Sequence, residues 1–443
     1  MKMRFEIMRK NVLKRAAAVV LTGAMLLVSL AGCGGTPSSA SASTAGSSSA
    51  TSATDSGAPA PTKQFVIGVA EAQANDEVTT RRAYFENFIA PTYNVKFIFS
   101  EVLKDDAAVK TFIENCIDSG VDAIIDFKSN SAQMARLCEE NDVVYTVQGI
   151  PDMAPELMEG DFPLFTGWSG ADNAQVGNLF RDWLEANASE DGSEGFLVST
   201  SLAAQGNVQH VEVSRAILEG LQEKYELTYE KTIDELVASS ETTNVANDKN
   251  ILITLYPGSP NKETWLPGIS SLLQSGKYAM FLSSGQTYNQ SATAVNEVEQ
   301  AFGIDIKVAS IAAFSTTLTT AFNTQDPNGN PSVDMVTVKP SSALNACLFA
   351  TTYNALNGAI DTACRDADGN AANYRFQMIS ITSPEELAMT EGWDDRDTGT
   401  WIAGKEFVDS MLVTNNPDIT PEDINKIMAS LNVESISAMM EKA

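Results

Sequence analysis

Val121-Asp122-Ala123-Ile124-Ile125-Asp126 is a short apolar run that ends on an acid. It is too short for a buried helix and rich in β-branched side chains, so it reads as a buried strand. The residues before it, 106–119, carry Ala107, Val109, Phe112, Ile113 and Cys116 at helical spacing, with Gly120 as a stop. Before those lie a second strand pattern at 95–99, a helical pattern at 78–88 and a first strand, Phe65-Val66-Ile67-Gly68-Val69-Ala70. After the quoted run come a helix at 131–141 and a fourth strand at 143–147. Strands separated by single helices pair in parallel through right-handed crossovers.

The alternation then restarts. Leu164-Phe165-Thr166 leads through Trp168-Ser169-Gly170-Ala171 to a helix over 174–186, with Asp172 or Asn173 as its N-cap. Strand patterns follow at 195–200, 250–255, 278–282, 306–311, 333–338 and 376–381. Helices are expected over 208–225 and 341–357. Two successive doubly wound halves are indicated, an α/β protein of two Rossmann-like lobes with parallel sheets. The tail after about 392 holds a helix capped at Thr420-Pro421-Glu422-Asp423.

The chain has 443 residues and a formal charge of −28, from 29 basic against 57 acidic side chains. Such an excess repels phosphate backbones and argues against a nucleic-acid partner. The charge is uneven. Residues 1–32 hold six basic side chains against Glu6, a net of +5, which leaves −33 on the rest. The basic start precedes an apolar run over 16–30, too short for a comfortable membrane span, and reads as an export signal. Leu30-Ala31-Gly32-Cys33 resembles the bacterial lipobox, which implies cleavage and acylation at Cys33. Residues 34–63 are Gly, Ser, Ala, Thr and Pro with only Asp55 and Lys63 charged, a flexible tether. Four further cysteines remain. Cys116 and Cys138 lie on consecutive helices, where a disulfide and two buried thiols are both open.

The order of elements resembles the bacterial substrate-binding lipoproteins of ABC transporters with the type I periplasmic-binding fold, in the ribose-binding-protein-like branch. The likeness covers about 64–387. It rests on Val121–Asp126, on Thr166-Gly167-Trp168-Ser169-Gly170-Ala171-Asp172-Asn173, on Asp334–Pro340 before a helix, and on Ile379-Ser380-Ile381-Thr382-Ser383-Pro384. It implies two lobes joined by hinge strands: 64–168 with about 339–365, and 169–338 with about 374–443. The preceding segments are the signal (1–32) and the lipidated tether (33–63). It also implies a monomer held outside the cell membrane by its lipid, a small-molecule ligand, a membrane permease as partner and no cofactor.

In such folds ligands sit beyond the carboxyl ends of the strands. Candidates are therefore Glu71 and Asn75 after the first strand, Asp126 after the third and Gln148 after the fourth. The second half adds Gln205, Asn207 and His210 in the loop and first helical turn after 195–200, with Tyr256 and Gln286 at later strand ends. Arg215 lies near the place of a sugar-contacting Arg in the family. The family's usual gripping residues are largely replaced: Gln148-Gly149 stands where sugar binders show Asp-Arg, Ser284-Gly285 where they show Asn-Asp, and Ala at 312–313 where they show Asp.

A lone His210 at a helix start carries no catalytic meaning by itself. No GxSxG, P-loop or HExxH occurs. No catalytic residue and no metal ligand is assigned. Asp366-Ala367-Asp368-Gly369-Asn370 and Asp326-Pro327-Asn328-Gly329-Asn330 resemble parts of a calcium loop but lack its terminal Glu, and read as turns. The expected function is an extracellular receptor that captures a small polar solute, a sugar or similar metabolite, for an ABC importer. A sensor that feeds a chemoreceptor or kinase, and an exported α/β enzyme, are the alternatives.

Overall fold

The computed structural model describes residues 63–74, 76–200, 208–260, 262–390 and 392–440. The signal, Cys33 and most of the tether lie outside these residues, as do Asn75, Gln205 and Asn207. Among the described residues thirteen strands follow one another: β1 Phe65–Glu71, β2 Val95–Val102, β3 Ala123–Asp126, β4 Val144–Gln148, β5 Phe165–Ala171, β6 Phe196–Thr200, β7 Thr243–Asn244, β8 Ile253–Pro257, β9 Met280–Ser283, β10 Lys307–Ala313, β11 Met335–Lys339, β12 Ala372–Phe376 and β13 Ile379–Ile381. The first sheet has the order β12-β5-β4-β3-β1-β2, all parallel. The second has the order β13-β11-β10-β9-β6-β8-β7. Its central strands are parallel, and only its edge strands β13 and β7 run antiparallel.

The buried strands are the apolar runs of the sequence, covered on both faces as parallel sheets require. Ile67, Val69, Ile124 and Ile125 are fully buried, as are Leu197, Val198, Phe281 and Leu282 in the second sheet. Polar groups inside the first lobe pair among themselves. Thr146 Oγ1 lies 2.7 Å from both Thr166 Oγ1 and Thr352 Oγ1, which ties β4, β5 and the helix Ser341–Leu356 together. Cys116, Cys138, Cys347 and Cys364 are free and buried.

Three crossings join the lobes. At the first, β5 ends at Ala171, and Asp172 caps the helix Asn173–Asn187 through Gln175 N–H. At the second, β11 ends at Lys339 and the chain enters the helix Ser341–Leu356, which packs on β3, β4 and β5. The third runs from β12 to β13 through Gln377 and Met378. The Gln175 side chain holds it by bonding both Met378 N–H and Met378 C=O.

This third crossing corrects two expectations. The single closing strand at 376–381 is two strands in different sheets. Of the residues from about 374 onward, β13 and Leu387 do belong to the second lobe, whereas the end of β12 and the tail from about 393 do not. β12 pairs with β5, where Gly167 (φ +117°) lets the backbones meet: a β-carbon there would lie 1.9 Å from Ala372 O. The tail packs on the first lobe as well. Tyr84 Oη donates to Ala403 O, Asn354 Nδ2 to Met411 O, and Asn425 Nδ2 to Asn373 O. Asp394 accepts Ser342 N–H at 2.8 Å, so the tail caps the start of the buried helix Ser341–Leu356.

Candidate functional site

Each sheet reverses its winding at one place. In the first this lies between β1 and β3; in the second it lies between β6 and β9. Diverging crossovers open a crevice at such points, beyond the strand ends. At the first, register sets Ala70 opposite Asp126 and Asp126 opposite Val147. Glu71, Asp126 and Gln148 therefore stand on three neighbouring strand ends.

Two of the three are held by their own lobe. Glu71 is fully buried and meets the Arg81 guanidinium with both oxygens, Nε to Oε1 at 3.2 Å and Nη2 to Oε2 at 2.7 Å. The guanidinium in turn lies 3.6 Å from the ring centre of Phe127. Asp126 is also fully buried. Its Oδ1 accepts the N–H groups of Lys128 and Ser129, and its Oδ2 accepts Tyr145 Oη–H at 2.8 Å. Burial pushes its carboxyl up to about 6, while these donors pull the other way. Gln148 is half-buried beside Ser169 on β5. Next to it, Asn130 accepts Trp168 Nε1–H at 3.0 Å.

The second lobe presents hydroxyls instead. Ser199, Ser283, Ser284, Thr287 and Ser310 are all buried at the strand ends. Ser310 Oγ accepts Thr287 N–H and donates to Gly285 O; Gly285 N–H donates to Ser283 Oγ. Trp265 Nε1 donates to Ser199 Oγ. His210 comes to this edge, since a β-carbon on Gly285 would lie 3.6 Å from its Cε1. Burial, helped by the nearby charge of Lys339, holds its imidazole down to about 4, so it is neutral at pH 7. Gln286 is exposed on the same loop.

Two candidates lie elsewhere. Arg215 pairs with Glu212 and, at 2.6 Å, with Asp234. Tyr256 rests on the helix Trp265–Leu273, with its hydroxyl 3.3 Å from Thr264 O.

The two strand-end edges meet across the gap. Lys339 Nζ, at the end of β11, lies 2.9 Å from Glu77 Oε1 in the first turn of the helix Asp76–Ala83. Lys339 holds the Glu77 carboxyl below its usual range against the opposing effect of burial, with Arg81 adding to the pull. Beside this contact is a cavity of about 660 Å³, lined from the first lobe by Asp76 and Thr80, from the second by Phe314 and Leu318, and from the tail by Trp393 and Arg396. None of the sequence candidates among the described residues lines it. Arg81, Glu77 and Lys339 were not anticipated. Lys339 carried a signal, a lone base ending a buried strand before Pro340. Arg81 carried none, because its partner Glu71 is set by the fold.

No known family profile matches the sequence, and no curated protein matches it. Solved structures do match. An ABC transporter solute-binding protein from Bacillus halodurans with bound myo-inositol aligns at 16% identity and a TM-score of 0.50, over 74% of this chain and 97% of its own. A periplasmic ribose ABC transporter protein from Conexibacter woesei aligns at 12% and 0.52, over 74% and 95%. An ABC transporter periplasmic solute-binding protein from Actinobacillus succinogenes with bound D-allose aligns at 14% and 0.51, over 74% and 99%. Identities this low speak for a shared architecture, and the sheet orders and three crossings agree with it. The chain therefore has the two-lobed type I periplasmic-binding fold.

Proposed function

We propose that this protein is a solute-binding receptor that closes on a small, uncharged polar ligand and passes it to an ABC importer. The observation that carries this reading is the pairing of two switch-point edges. One has its charges internally matched; the other is built of hydroxyls and a neutral imidazole. The acids named at these edges are already paired, whereas the hydroxyls offer hydrogen-bonding partners to a polyol or sugar. The sugars named in the structurally similar proteins support the same class. Binding and release then require only a change of lobe angle about the three crossings, without covalent chemistry. The sequence supports a protein acylated at Cys33 and held at the outer membrane face by the tether, working as a monomer with a membrane permease.

The test is thermal unfolding against a panel of monosaccharides, polyols and charged metabolites. A neutral polyol or sugar should raise the transition saturably, by mass action on the folded state. Stabilisation by acidic or basic metabolites alone, or consumption of a panel compound, would overturn the reading.

A further inference from the structure

The helix Tyr288–Phe302 ends near Glu299, whose side chain is only 1% exposed. Glu299 Oε1 accepts Ile306 N–H at 2.9 Å, but Oε2 is buried with no hydrogen-bond partner. A lone buried carboxylate oxygen is costly. Asp305 and Asp326 reach the same spot from two other loops, and one oxygen from each of the three acids lies within 4.8 Å of the others. Calcium binds oxygens at about 2.3–2.6 Å, which puts any two ligands at most about 5 Å apart.

The loop carrying Asp326 has a twin. In Asp326–Asn330 the leading Asp takes the N–H groups of Asn328 and Asn330 on Oδ1. In Asp366–Asn370 the leading Asp takes those of Asp368 and Asn370 in the same way. Both are closed turns on their own, as Asp-Gly and Asn-Gly sequences favour. They differ in what lies beside them. Only the first meets a buried Glu from another element and a further Asp, whose Oδ1 is steadied by Asn330 Nδ2 at 3.0 Å. The Glu that a calcium loop needs and that the local sequence lacks is thus supplied from about 27 residues upstream by the fold.

We propose that Glu299, Asp305 and Asp326 form a binding site for a divalent cation of the calcium class. The cation would satisfy Glu299 Oε2 and offset the mutual repulsion of the three acids. Burial first, then the nearby Asp326, Asp305 and Asp334, push the Glu299 carboxyl up to about 7 against the Ile306 N–H it accepts. Asp334 is also pushed up to about 7, by burial first and then by Asp305. Asp305 is exposed and gives the ion a way in. The site lies before the first residue of β10, at the opposite edge of the sheet from the ligand crevice.

Calcium titration of the chelator-treated protein, by calorimetry and thermal unfolding, tests this. One equivalent should bind with a dissociation constant of about 1 mM or tighter, and the unfolding temperature should rise with it. Glu299→Gln keeps the acceptor for Ile306 and should weaken binding at least about tenfold, since affinity follows ligand charge. Asp366→Asn, in the twin loop, should leave binding unchanged. If Glu299→Gln does not fold, the exposed Asp305→Asn carries the same prediction. No saturable heat and no thermal shift in the unaltered protein would mean that Glu299 is simply a protonated acid, and would overturn the proposal. Wild-type affinity in Glu299→Gln, or in Asp305→Asn if that variant stands in, would do the same.

Discussion

The two strand-end edges solve one problem with different chemistry. The first lobe ends its strands on acids and silences each of them, Glu71 with Arg81 and Asp126 with Tyr145 and two N–H groups. The second ends its strands on serines and threonines that bond one another and the backbone. Buried ions are rigid, because losing either partner strands a charge. Buried hydroxyls are adaptable, since each both donates and accepts. The first edge is therefore a fixed wall, and the second is the more adaptable surface.

Substitutions should fall in that order. Arg81→Met leaves Glu71 charged and alone, and should cost about 3–5 kcal/mol of folding stability in urea unfolding. Adding Glu71→Leu should restore most of it. Equal damage from the single and double variants would show that the pair is not what holds this edge.

Asp126 gives the next largest effect. Its folded value of about 6 lies above the ordinary value of 3.8, so folding takes up a proton between these limits. The stability it adds is complete below about pH 4 and is lost as the pH rises through 6. Across that window the wild type should lose about 3 kcal/mol relative to Asp126→Asn. Parallel stability curves for the two proteins between pH 4 and 7 would remove Asp126 from the buried wall.

The hydroxyl edge should be milder. Ser310→Ala strands the Thr287 N–H and should cost about 1–2 kcal/mol. Ser284 makes one long bond, 3.4 Å to Ser199 O, and its alanine variant should cost less than about 1 kcal/mol. A Ser310 effect as large as that of Arg81 would erase the contrast between the edges.

Much of this architecture was legible in the sequence. Short apolar runs such as 123–125 and 196–198 read as buried strands by their length and β-branched content, and helical spacing between them favours the parallel order. The caps at Asp172 and Thr420 were readable because their partners lie three residues on. The run 376–381 was misread because a two-residue crossing leaves no break in apolar pattern. The tail's place was hidden for another reason. Asp394 and Ala403 bond groups 52 and 61 residues away, and no local rule reaches that far. The site was legible only as positions. Strand ends could be named, but whether Glu71 faces a ligand or Arg81 depends on a helix docking that spacing does not encode.

The central claim is that a neutral polar ligand draws the two edges together. Small-angle X-ray scattering of the protein with and without one equivalent of the stabilising sugar or polyol measures this directly. The account predicts a smaller radius of gyration on binding, saturating at one ligand per chain. An unchanged radius at full occupancy would contradict it.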